Sequence, residues 1–315
     1  MNLSLSLAIN PYDHVRDLRP RGIDLTLLEL PIEEIFFRFT MFQEWQASEM
    51  SFGKVASLAS REDSPIVVLP VFLSRVFRHS AIYVGKSSGI QKPKDLEGRR
   101  VGIPEWAQTA GIYVRGLLQH EYGVDLARIK WFQAGVHQPG RVEKVALKLP
   151  AGVGIQALPD KSLSQMIASG ELDAVISARA LDAQRLFPDY RDIEREYFRK
   201  TRIYPIMHVL VLRKDVYQRD RWVARNLIDA FEEAKNRSLE RVTEFGLSHV
   251  PMPWIPDHAR QWKELAGDDF WPYGVEPNRP TLDAFLQYCY EQGVATRALK
   301  ADELFVPESR EKYKI

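Results

Sequence analysis

The sequence predicts an α/β protein of two lobes, each built on a mostly parallel sheet flanked by helices, with a ligand cleft between the lobes. Short apolar runs alternate with longer amphipathic stretches, which is the pattern of repeated strand–helix–strand units. Residues 66–72 (IVVLPVF) are almost continuously apolar, as in a parallel strand that is buried on both faces. A chain of 315 residues is also long enough to give each lobe its own core.

The strands are predicted from the apolar runs. The first run alternates leucine with serine and ends at a polar cluster that begins at Asn10. In chain order the predicted strands are residues 3–9, 23–30, 47–51, 66–72, 81–85, 101–103, 130–132, 153–158, 174–177 and 206–212.

The helices are predicted from apolar residues at a spacing of about 3.6. Pro31 opens the first helix, and Glu33 and Glu34 lie in its first turn, where carboxylates suit the helix dipole. Further helices are predicted at residues 52–59, from about 109 through 119, at 162–168 and over most of the chain after 212. Residues 135–147 have no clear period and are predicted to form a loop or flap.

The chain is predicted to cross between the lobes twice, near residue 88 and near residues 204–205. These crossings divide it into a discontinuous lobe 1, residues 1–88 plus 205–315, and an inserted lobe 2, residues 89–204.

Composition excludes several classes of function. The formal net charge is +1 and basic clusters are interleaved with acids, so we expect no nucleic-acid partner. No apolar run approaches the 18 to 20 residues that span a bilayer, and no signal-peptide pattern precedes the first strand, so we expect a cytoplasmic protein without membrane contact. The single cysteine, Cys289, lies in a helical pattern and is interpreted as a packing residue.

Polar side chains follow six of the predicted strands, and in open α/β sheets the ligand binds outside the carboxyl ends of the strands. Arg75, Arg78, Arg179 and Arg16 offer planar forks suited to carboxylates, although any single arginine also fits a surface cation. The other candidates at these positions are His14, Glu49, Ser74, His79, Trp106, Gln108, Thr109 and His208.

Several of these candidates have a structural alternative. His208 is flanked by apolar residues, so a core histidine fits as well as a site histidine. Gln108 and Thr109 lie in a first helical turn, where they either hold an anion or cap the helix. Glu49 either caps a neighbour or belongs to the site, and Trp106 is either a ring platform or part of the core. No HExxH or CxxC spacing, glycine-rich phosphate loop or GxSxG motif is present.

Three segments carry a family resemblance. Residues 71–80 (VFLSRVFRHS), 204–208 (YPIMH) and 271–279 (WPYGVEPNR) resemble the 4,5-dihydroxyphthalate decarboxylase family, with Leu73 where a second proline is expected. Residues 95–102 and 169–176 are shared more widely, with solute-binding proteins of the type II periplasmic-binding-protein-like fold. The resemblance implies that fold, a cleft at the hinge, and a carboxy-lyase that converts an ortho-dihydroxylated aromatic dicarboxylate to 3,4-dihydroxybenzoate in phthalate breakdown.

A substrate of that class predicts roles for the candidates. We expect Arg75, Arg78 and Arg179, with Arg16 as a further member, to clamp the carboxylates. His208 is predicted to donate the proton, and Glu49 or His14 to act on the hydroxyls. Ser74, His79, Trp106, Gln108 and Thr109 complete the predicted binding set. No cofactor is expected, because the ring itself takes up the electrons, and a homo-oligomer is expected.

Other functions stay open at this point. The main rival is a non-catalytic solute-binding protein for an aromatic or other small anion. The second rival is a protein of the same fold that binds a pyrimidine precursor or a sulfonate. The number of arginines favours a dianionic ligand over these two ligands. A third is a metal-assisted decarboxylase in which histidines and glutamates, His79 among them, hold a divalent ion; a chelator separates it from the cofactor-free scheme.

Overall fold

The computed structural model describes residues 2–309, which form two sheets with helices packed on both faces. The strands are β1 (Leu3–Ile9), β2 (Ile23–Glu29), β3 (Ala47–Ser51), β4 (Ile66–Arg75), β5 (Ile82–Val84), β6 (Arg100–Ile103), β7 (Lys130–Gly135), β8 (Ile155–Ser162), β9 (Ala174–Ile176), β10 (Gln184–Arg185) and β11 (Ile206–Arg213). The helices are α1 (Ile32–Phe42), α2 (Phe52–Ala59), α3 (Thr109–His120), α4 (Leu163–Ser169), α5 (Tyr190–Thr201), α6 (Lys214–Arg219), α7 (Trp222–Thr243), α8 (Ile255–Ala266), α9 (Arg279–Glu291) and α10 (Ala301–Leu304).

Lobe 1 contains the five-stranded sheet in the order β2-β1-β3-β11-β4. Strands β1, β2 and β3 are parallel, whereas β11 runs antiparallel to both of its neighbours, β3 and β4. The side chains of Leu7, Leu69 and Leu210 have no exposed surface, which places the core of this lobe along the middle of the sheet. The near-continuous apolar run of β4 is therefore explained by burial.

The pairing of β4 with β11 is irregular near its functional end. The register shifts between Ile206 and Leu210, and Pro70 of β4 lies opposite this stretch. Proline has no backbone N–H to contribute to a ladder, so it is tolerated at a bulge on an edge strand, and β4 is the edge of its sheet. Bulges re-aim side chains, and His208 lies within this one.

Lobe 2 contains the six-stranded sheet in the order β10-β5-β9-β6-β7-β8. Strands β9, β6, β7 and β8 run parallel to one another, and β5 pairs antiparallel with β9 and β10. Both sheets are thus mixed. The antiparallel pairs of the first sheet involve β11, and those of the second sheet involve β5. The two-lobed α/β prediction is confirmed, and residues 136–154 between β7 and β8 contain no helix or strand until Ile155, as expected for a loop.

The first crossing lies earlier in the chain than the sequence pattern indicated. Strand β5 was expected to precede the crossing near residue 88, but it pairs with β9 in the second sheet. The chain therefore leaves the first sheet between Arg75 and Ile82. The sequence pattern could not show this, because the pairing of a three-residue strand, and not its own residue pattern, decides which sheet it joins. It re-enters the first sheet at β11, which begins at Ile206.

The two lobes are in close contact where α2 meets the start of α3. A Cβ atom on Gly53 would lie 2.5 Å from the Ala107 carbonyl oxygen and 2.7 Å from Ile112 Cδ1, so this approach requires glycine. Phe285 of α9 stacks on Phe52 of lobe 1 at 4.5 Å between ring centroids, and α9 also packs on α3. No helix within residues 2–309 is long and apolar enough to cross a membrane.

Candidate active site

Sheet topology brings the ends of several strands of lobe 1 together. Because β11 is antiparallel to β3 and β4, its amino end lies beside their carboxyl ends. His208 near the start of β11 is therefore opposite Ser51 at the end of β3 and Ser74 at the end of β4. The carboxyl end of β1 lies at the same edge, next to β3. This is the edge at which an open α/β sheet binds its ligand.

A buried carboxylate holds His208 from behind. Glu49 Oε1 lies 2.7 Å from His208 Nδ1 and accepts a hydrogen bond from the Tyr12 hydroxyl at 2.6 Å. The second oxygen, Oε2, accepts from the Asn10 backbone N–H at 2.9 Å. Glu49 has no exposed surface, whereas the His208 side chain is 20% exposed. Glu49 is thus fully occupied within the protein and acts on a ligand only through the imidazole.

The cluster fixes the chemistry of the imidazole. With Nδ1 committed to Glu49, the hydrogen-bond network leaves Nε2 as the nitrogen available to a ligand. Burial, and to a smaller extent the charge of the neighbouring Glu49, raises the pKa of Tyr12 far above its usual range. The Tyr12 hydroxyl therefore stays protonated and donates a hydrogen bond to Glu49. A histidine oriented by a carboxylate in this way is suited to giving or taking a proton at Nε2.

A cleft of about 220 Å³ lies between the lobes in front of His208. Ligand pockets typically hold ~300–1,000 Å³, so a cleft of this size suits a single-ring molecule. Lobe 1 and lobe 2 both contribute to its wall, which consists of Ile32, Glu33, Phe36, Ser51, Lys54, Arg78, Glu105, Gln108, Thr109, Ala110, Arg141, Ala178, Arg179, Met207 and His208.

The cleft carries an excess of positive charge. Its wall contains four cationic side chains and two carboxylates, with His208 left out of the count: Lys54, Arg78, Arg141, Arg179, Glu33 and Glu105. The formal surplus is therefore two positive charges. Phe36 lies between the ends of the cleft, with its ring 4.9 Å from the His208 ring and 5.8 Å from Lys54 Nζ.

Most of these charges are paired across the two lobes. Arg141 Nε donates to Glu105 Oε1 at 2.6 Å, and its guanidinium lies 3.2 Å from Glu33 of lobe 1. Lys54 of lobe 1 lies 3.5 Å from Glu105 Oε2 of lobe 2, and burial lowers the pKa of that lysine although Glu105 opposes the effect. Burial would raise the pKa of Glu33, but Arg141 and Lys144 hold it below its usual range. These pairs favour the closed arrangement of the lobes.

Arg78 differs from the other cations of the cleft. Its Nε donates to the Met207 sulfur at 3.1 Å, and no ion pair within residues 2–309 includes it. Burial lowers the pKa of its guanidinium to about 10, so it is still charged at neutral pH. Arg179 is 58% exposed and lies 3.9 Å from Glu33. A partly buried cation without a carboxylate partner makes Arg78 the clearest anion-binding group of the site.

The start of α3 also reaches the cleft. The Thr109 hydroxyl lies 2.9 Å from the Ser51 hydroxyl and accepts the Gly53 N–H at 2.9 Å, so it joins the lobes at the hinge. Gln108 is the residue that precedes the first turn of α3, and its side chain makes no capping hydrogen bond. Neither residue caps α3 through its side chain: the Thr109 hydroxyl is occupied by Ser51 and Gly53, whereas Gln108 Oε1 has no hydrogen-bond donor among residues 2–309.

The predicted clamp loses Arg75 in the structure. Its guanidinium is buried and donates to the carbonyls of Tyr204, at 3.1 Å, and Pro272, at 2.7 Å, as well as to Asn278. It also lies over the aromatic rings of Phe72, Tyr204 and Trp271. Arg75 does not line the cleft, because its side chain turns to the interior beneath the segment 271–279. The clamp proposed below therefore omits it.

Four other predicted residues lie away from the cleft wall. His79 is buried between Phe187 and Tyr197, and its backbone N–H donates to Glu194 at 3.0 Å. Trp106 is fully buried and donates to the Gln292 carbonyl at 2.8 Å, which supports the packing interpretation. Arg16 is exposed outside the cleft, and Ser74 contacts Tyr12 rather than the cleft. The position of each of these side chains depends on which face of its segment packs against a sheet.

His14 lies behind the cluster of Tyr12, Glu49 and His208 rather than on its cleft side. Its ring stacks on Tyr12 at 5.0 Å and lies 5.4 Å from the Trp271 ring, and it does not line the cleft. Burial lowers the pKa of His14 to about 4, against the opposing effect of Glu49. The ring is therefore neutral at neutral pH, and the predicted role of His14 on the substrate hydroxyls is not carried into the proposal below.

The burial of His14 makes a testable contribution to the acid sensitivity of the fold. An unfolded histidine titrates near ~6.5. Between that value and about 4 the unfolded chain binds a proton that folded His14 does not, so the free energy of unfolding falls as the pH drops through this window. We expect His14→Phe, which keeps a ring in place, to lessen that fall, measured as the denaturant midpoint at pH 7 and pH 5. His258→Phe on the exposed surface of α8 is the matched control. An unchanged difference between the two pH values in His14→Phe contradicts the assignment.

Sequence analysis missed several residues of the site. Tyr12 was noted only as part of a polar cluster, and Lys54, Glu33, Phe36 and Arg141 were not among the candidates. Lys54 carries a usable signal, since a lone lysine in the apolar run FGKVA at a helix start is unusual. Arg141 carries none, because it lies in the aperiodic segment between β7 and β8.

The two sheets, the double crossing and the cleft between the lobes define a periplasmic-binding-protein-like α/β protein. A solved structure described as a periplasmic sulfonate-binding protein of Methylobacillus flagellatus superposes with a TM-score of 0.53 at 12% identity, covering 98% of this chain and 93% of that one, which supports the fold. Residues 50–139 match the family model "NMT1/THI5 like".

Curated relatives fix the family. A protein of Comamonas testosteroni named 4,5-dihydroxyphthalate decarboxylase is 36% identical over 327 aligned positions, covering 99% of both chains. A protein of the same name from Pseudomonas putida is 39% identical over 184 positions, covering 56% of this chain and 71% of that one. The chain belongs to the 4,5-dihydroxyphthalate decarboxylase family of carboxy-lyases, which confirms the resemblance drawn from the sequence.

Metal ligation is a separate question for this site. Within residues 2–309 no group of three or more His, Cys, Asp or Glu side chains is placed to hold a metal ion. The histidines and glutamates that the sequence left open as ligands are spread between the cleft, the buried cluster and the far side of lobe 2, as described above for His208, Glu49 and His79. The chelator comparison below tests metal dependence directly.

Proposed function

We propose that the protein decarboxylates 4,5-dihydroxyphthalate, or a closely related hydroxylated aromatic dicarboxylate, to 3,4-dihydroxybenzoate and CO2. One observation carries the proposal: His208, backed by the buried Glu49, lines a cationic cleft that suits a single ring. Family membership supplies the reaction class, and both curated relatives bear the name of this decarboxylase.

Charge supports a dicarboxylate. A substrate with two ionised carboxylates carries two negative charges, which match the surplus of two positive charges on the cleft wall. Arg78 supplies the unpaired guanidinium, and Arg179 adds a second fork from lobe 2. Two forks that hold two neighbouring carboxylates fix the ring in one orientation.

The reaction needs one proton and no external electron acceptor. A hydroxyl para to the departing carboxylate pushes electron density to the carbon that bears CO2⁻, and that hydroxyl loses its proton as the ring becomes a dienone. The same carbon takes a proton and becomes tetrahedral. The C–C bond to the carboxylate then breaks, its electron pair restores the aromatic ring, CO2 leaves, and the phenolate regains a proton.

His208 is the proton donor in this scheme. Nε2 is the nitrogen left for the substrate, and Glu49 keeps the ring oriented while the proton is transferred. Glu49 itself is enclosed behind the imidazole, so it acts as a positioning residue for His208. The scheme thus keeps His208 in its predicted role and moves Glu49 one step back from the substrate.

The cross-lobe ion pairs provide the closure that the chemistry needs. Glu33 with Arg141, and Lys54 with Glu105, connect the lobes over the cleft. Closure removes water, which strengthens the interaction between the arginines and the carboxylates and protects the proton donor.

The direct test is product formation. Purified protein is incubated with 4,5-dihydroxyphthalate, with and without a chelator, and 3,4-dihydroxybenzoate and CO2 are measured. We expect both products in equal yield in the two tubes. Product only without chelator replaces the cofactor-free scheme by a metal-assisted one. Absence of product in both tubes, together with a thermal shift by aromatic dicarboxylates, overturns the proposal in favour of a binding protein or a neighbouring substrate.

A further inference from the structure

Two buried hydrogen-bond acceptors on the cleft wall have no partner. Among residues 2–309, Glu105 Oε2 and Gln108 Oε1 are enclosed side-chain oxygens without a hydrogen-bond donor. Both residues line the cleft, and both lie in the segment between β6 and α3 of lobe 2. Buried acceptors in folded proteins are nearly always paired, so two in one site indicate that a ligand supplies the donors.

The surroundings of Glu105 show which of its oxygens is available. Arg141 Nε donates to Oε1 at 2.6 Å, and Lys144 Nζ lies 3.5 Å from the same oxygen. Oε2 has only Lys54 Nζ at 3.5 Å, an ion-pair distance at which no hydrogen bond is formed. One oxygen is thus held by the protein, and the other is left for an O–H or N–H group.

Local structure places the two residues on the same turn of the cleft wall. The Gln108 N–H donates to the Glu105 backbone carbonyl at 3.4 Å, so the two residues flank one tight turn. The Gln108 side chain does not cap α3, and its Oε1 accepts no hydrogen bond within residues 2–309. Because both residues also line the cleft, their two oxygens suit a ring that carries two neighbouring donors.

We propose that Glu105 and Gln108 bind the two adjacent hydroxyl groups of the substrate and thereby determine specificity for a vicinal diol. The inference rests on the proposed function, since it deepens the same site. Each hydroxyl donates its O–H to one acceptor: one to Glu105 Oε2 and the other to Gln108 Oε1. A carboxylate at one hydroxyl also increases the electron density that the para carbon needs for protonation.

This assignment orients the ring across the cleft. With the hydroxyl edge on lobe 2, the carboxylate edge points to His208 of lobe 1 and to Arg78, which lies in the crossing between the lobes. The substrate enters while the lobes are apart, because Lys54 of lobe 1 covers Glu105 in the closed arrangement. A ring without hydroxyls leaves both acceptors buried and unpaired after closure, which is the penalty that gives selectivity.

The test measures binding rather than turnover. His208→Asn protein is titrated calorimetrically with phthalate, 4-hydroxyphthalate and 4,5-dihydroxyphthalate, which differ only in the number of hydroxyls. We expect affinity to rise about tenfold with each hydroxyl. In the double variant with Gln108→Met, a side chain of similar length without an acceptor, we expect the gain from the second hydroxyl to disappear, while phthalate binds at least as tightly as it does to the His208→Asn protein, because one buried unpaired acceptor is gone. Gln287→Met on the exposed face of α9 is the matched control.

The outcomes separate this inference from the proposed function. Equal affinity for the three ligands in the His208→Asn protein overturns the diol assignment and leaves the dicarboxylate proposal intact. Retention of the full hydroxyl gain in the Gln108→Met double variant overturns the role of Gln108. Failure of all three ligands to bind contradicts the proposed function itself. Phthalate binding by the double variant, as tight as by the His208→Asn protein or tighter, shows that the variant is folded.

Discussion

His208→Asn is expected to lower kcat by about 10²–10⁴ with little change in KM. Asparagine fills a similar space and keeps a polar atom toward Glu49, but it has no proton to deliver at the Nε2 position. The carboxylate clamp and the cross-lobe ion pairs are unaffected, so the substrate still binds. Steady-state rates of 3,4-dihydroxybenzoate formation over a range of substrate concentrations separate the two parameters.

The matched control for that variant is His258→Asn, which makes the same chemical change on the exposed face of α8. We expect it to behave as wild type. Full activity of His208→Asn rules out His208 as the donor and leaves Lys54 and Glu105 as buried titratable groups on the cleft wall. A rise in KM with kcat unchanged assigns His208 to binding instead.

Arg78→Gln is expected to raise KM for 4,5-dihydroxyphthalate about 10- to 100-fold, with a smaller effect on kcat. A charge-assisted hydrogen bond contributes ~1.5–3 kcal/mol, and the substrate carboxylate has no other unpaired guanidinium of comparable burial on the cleft wall of residues 2–309. Because no native ion pair is broken by the change, the fold is expected to keep its stability.

Two comparisons sharpen this prediction. Arg179→Gln is expected to raise KM less, since Arg179 is more than half exposed and shares its charge with Glu33. Arg61→Gln on the surface is the control without effect. If Arg78→Gln lowers kcat at constant KM, the guanidinium acts on the transition state rather than as a ground-state clamp.

The fold was predictable because its signals are local. A strand or a helix exposes its period in a window of a few residues, so β1, β3, α2 and β11 were located within one or two residues. The place of β5 was not predictable, since a three-residue strand has the same pattern in either sheet and only its hydrogen bonds with β9 decide.

The site was predictable only in part, because side-chain direction is a tertiary property. Arg75 and Arg78 are three residues apart and equally plausible in sequence, yet one is enclosed by Tyr204, Pro272 and Asn278 while the other reaches the cleft. The segment that captures Arg75 lies almost two hundred residues further along the chain. No local pattern contains that information.

The sequence by itself determined the two-lobed α/β architecture, the family, and the strand ends at which a ligand binds, because periodicity and motifs are properties of short segments. Only the tertiary structure decided that Tyr12 and Glu49 lie behind His208, that Arg141 joins Glu105 to Glu33 across the lobes, and that Gln108 Oε1 has no hydrogen-bond donor among residues 2–309. The physical reason is that hydrogen bonds, ion pairs and burial depend on which distant segments the packing brings within about 3 Å, a distance that sequence spacing does not encode.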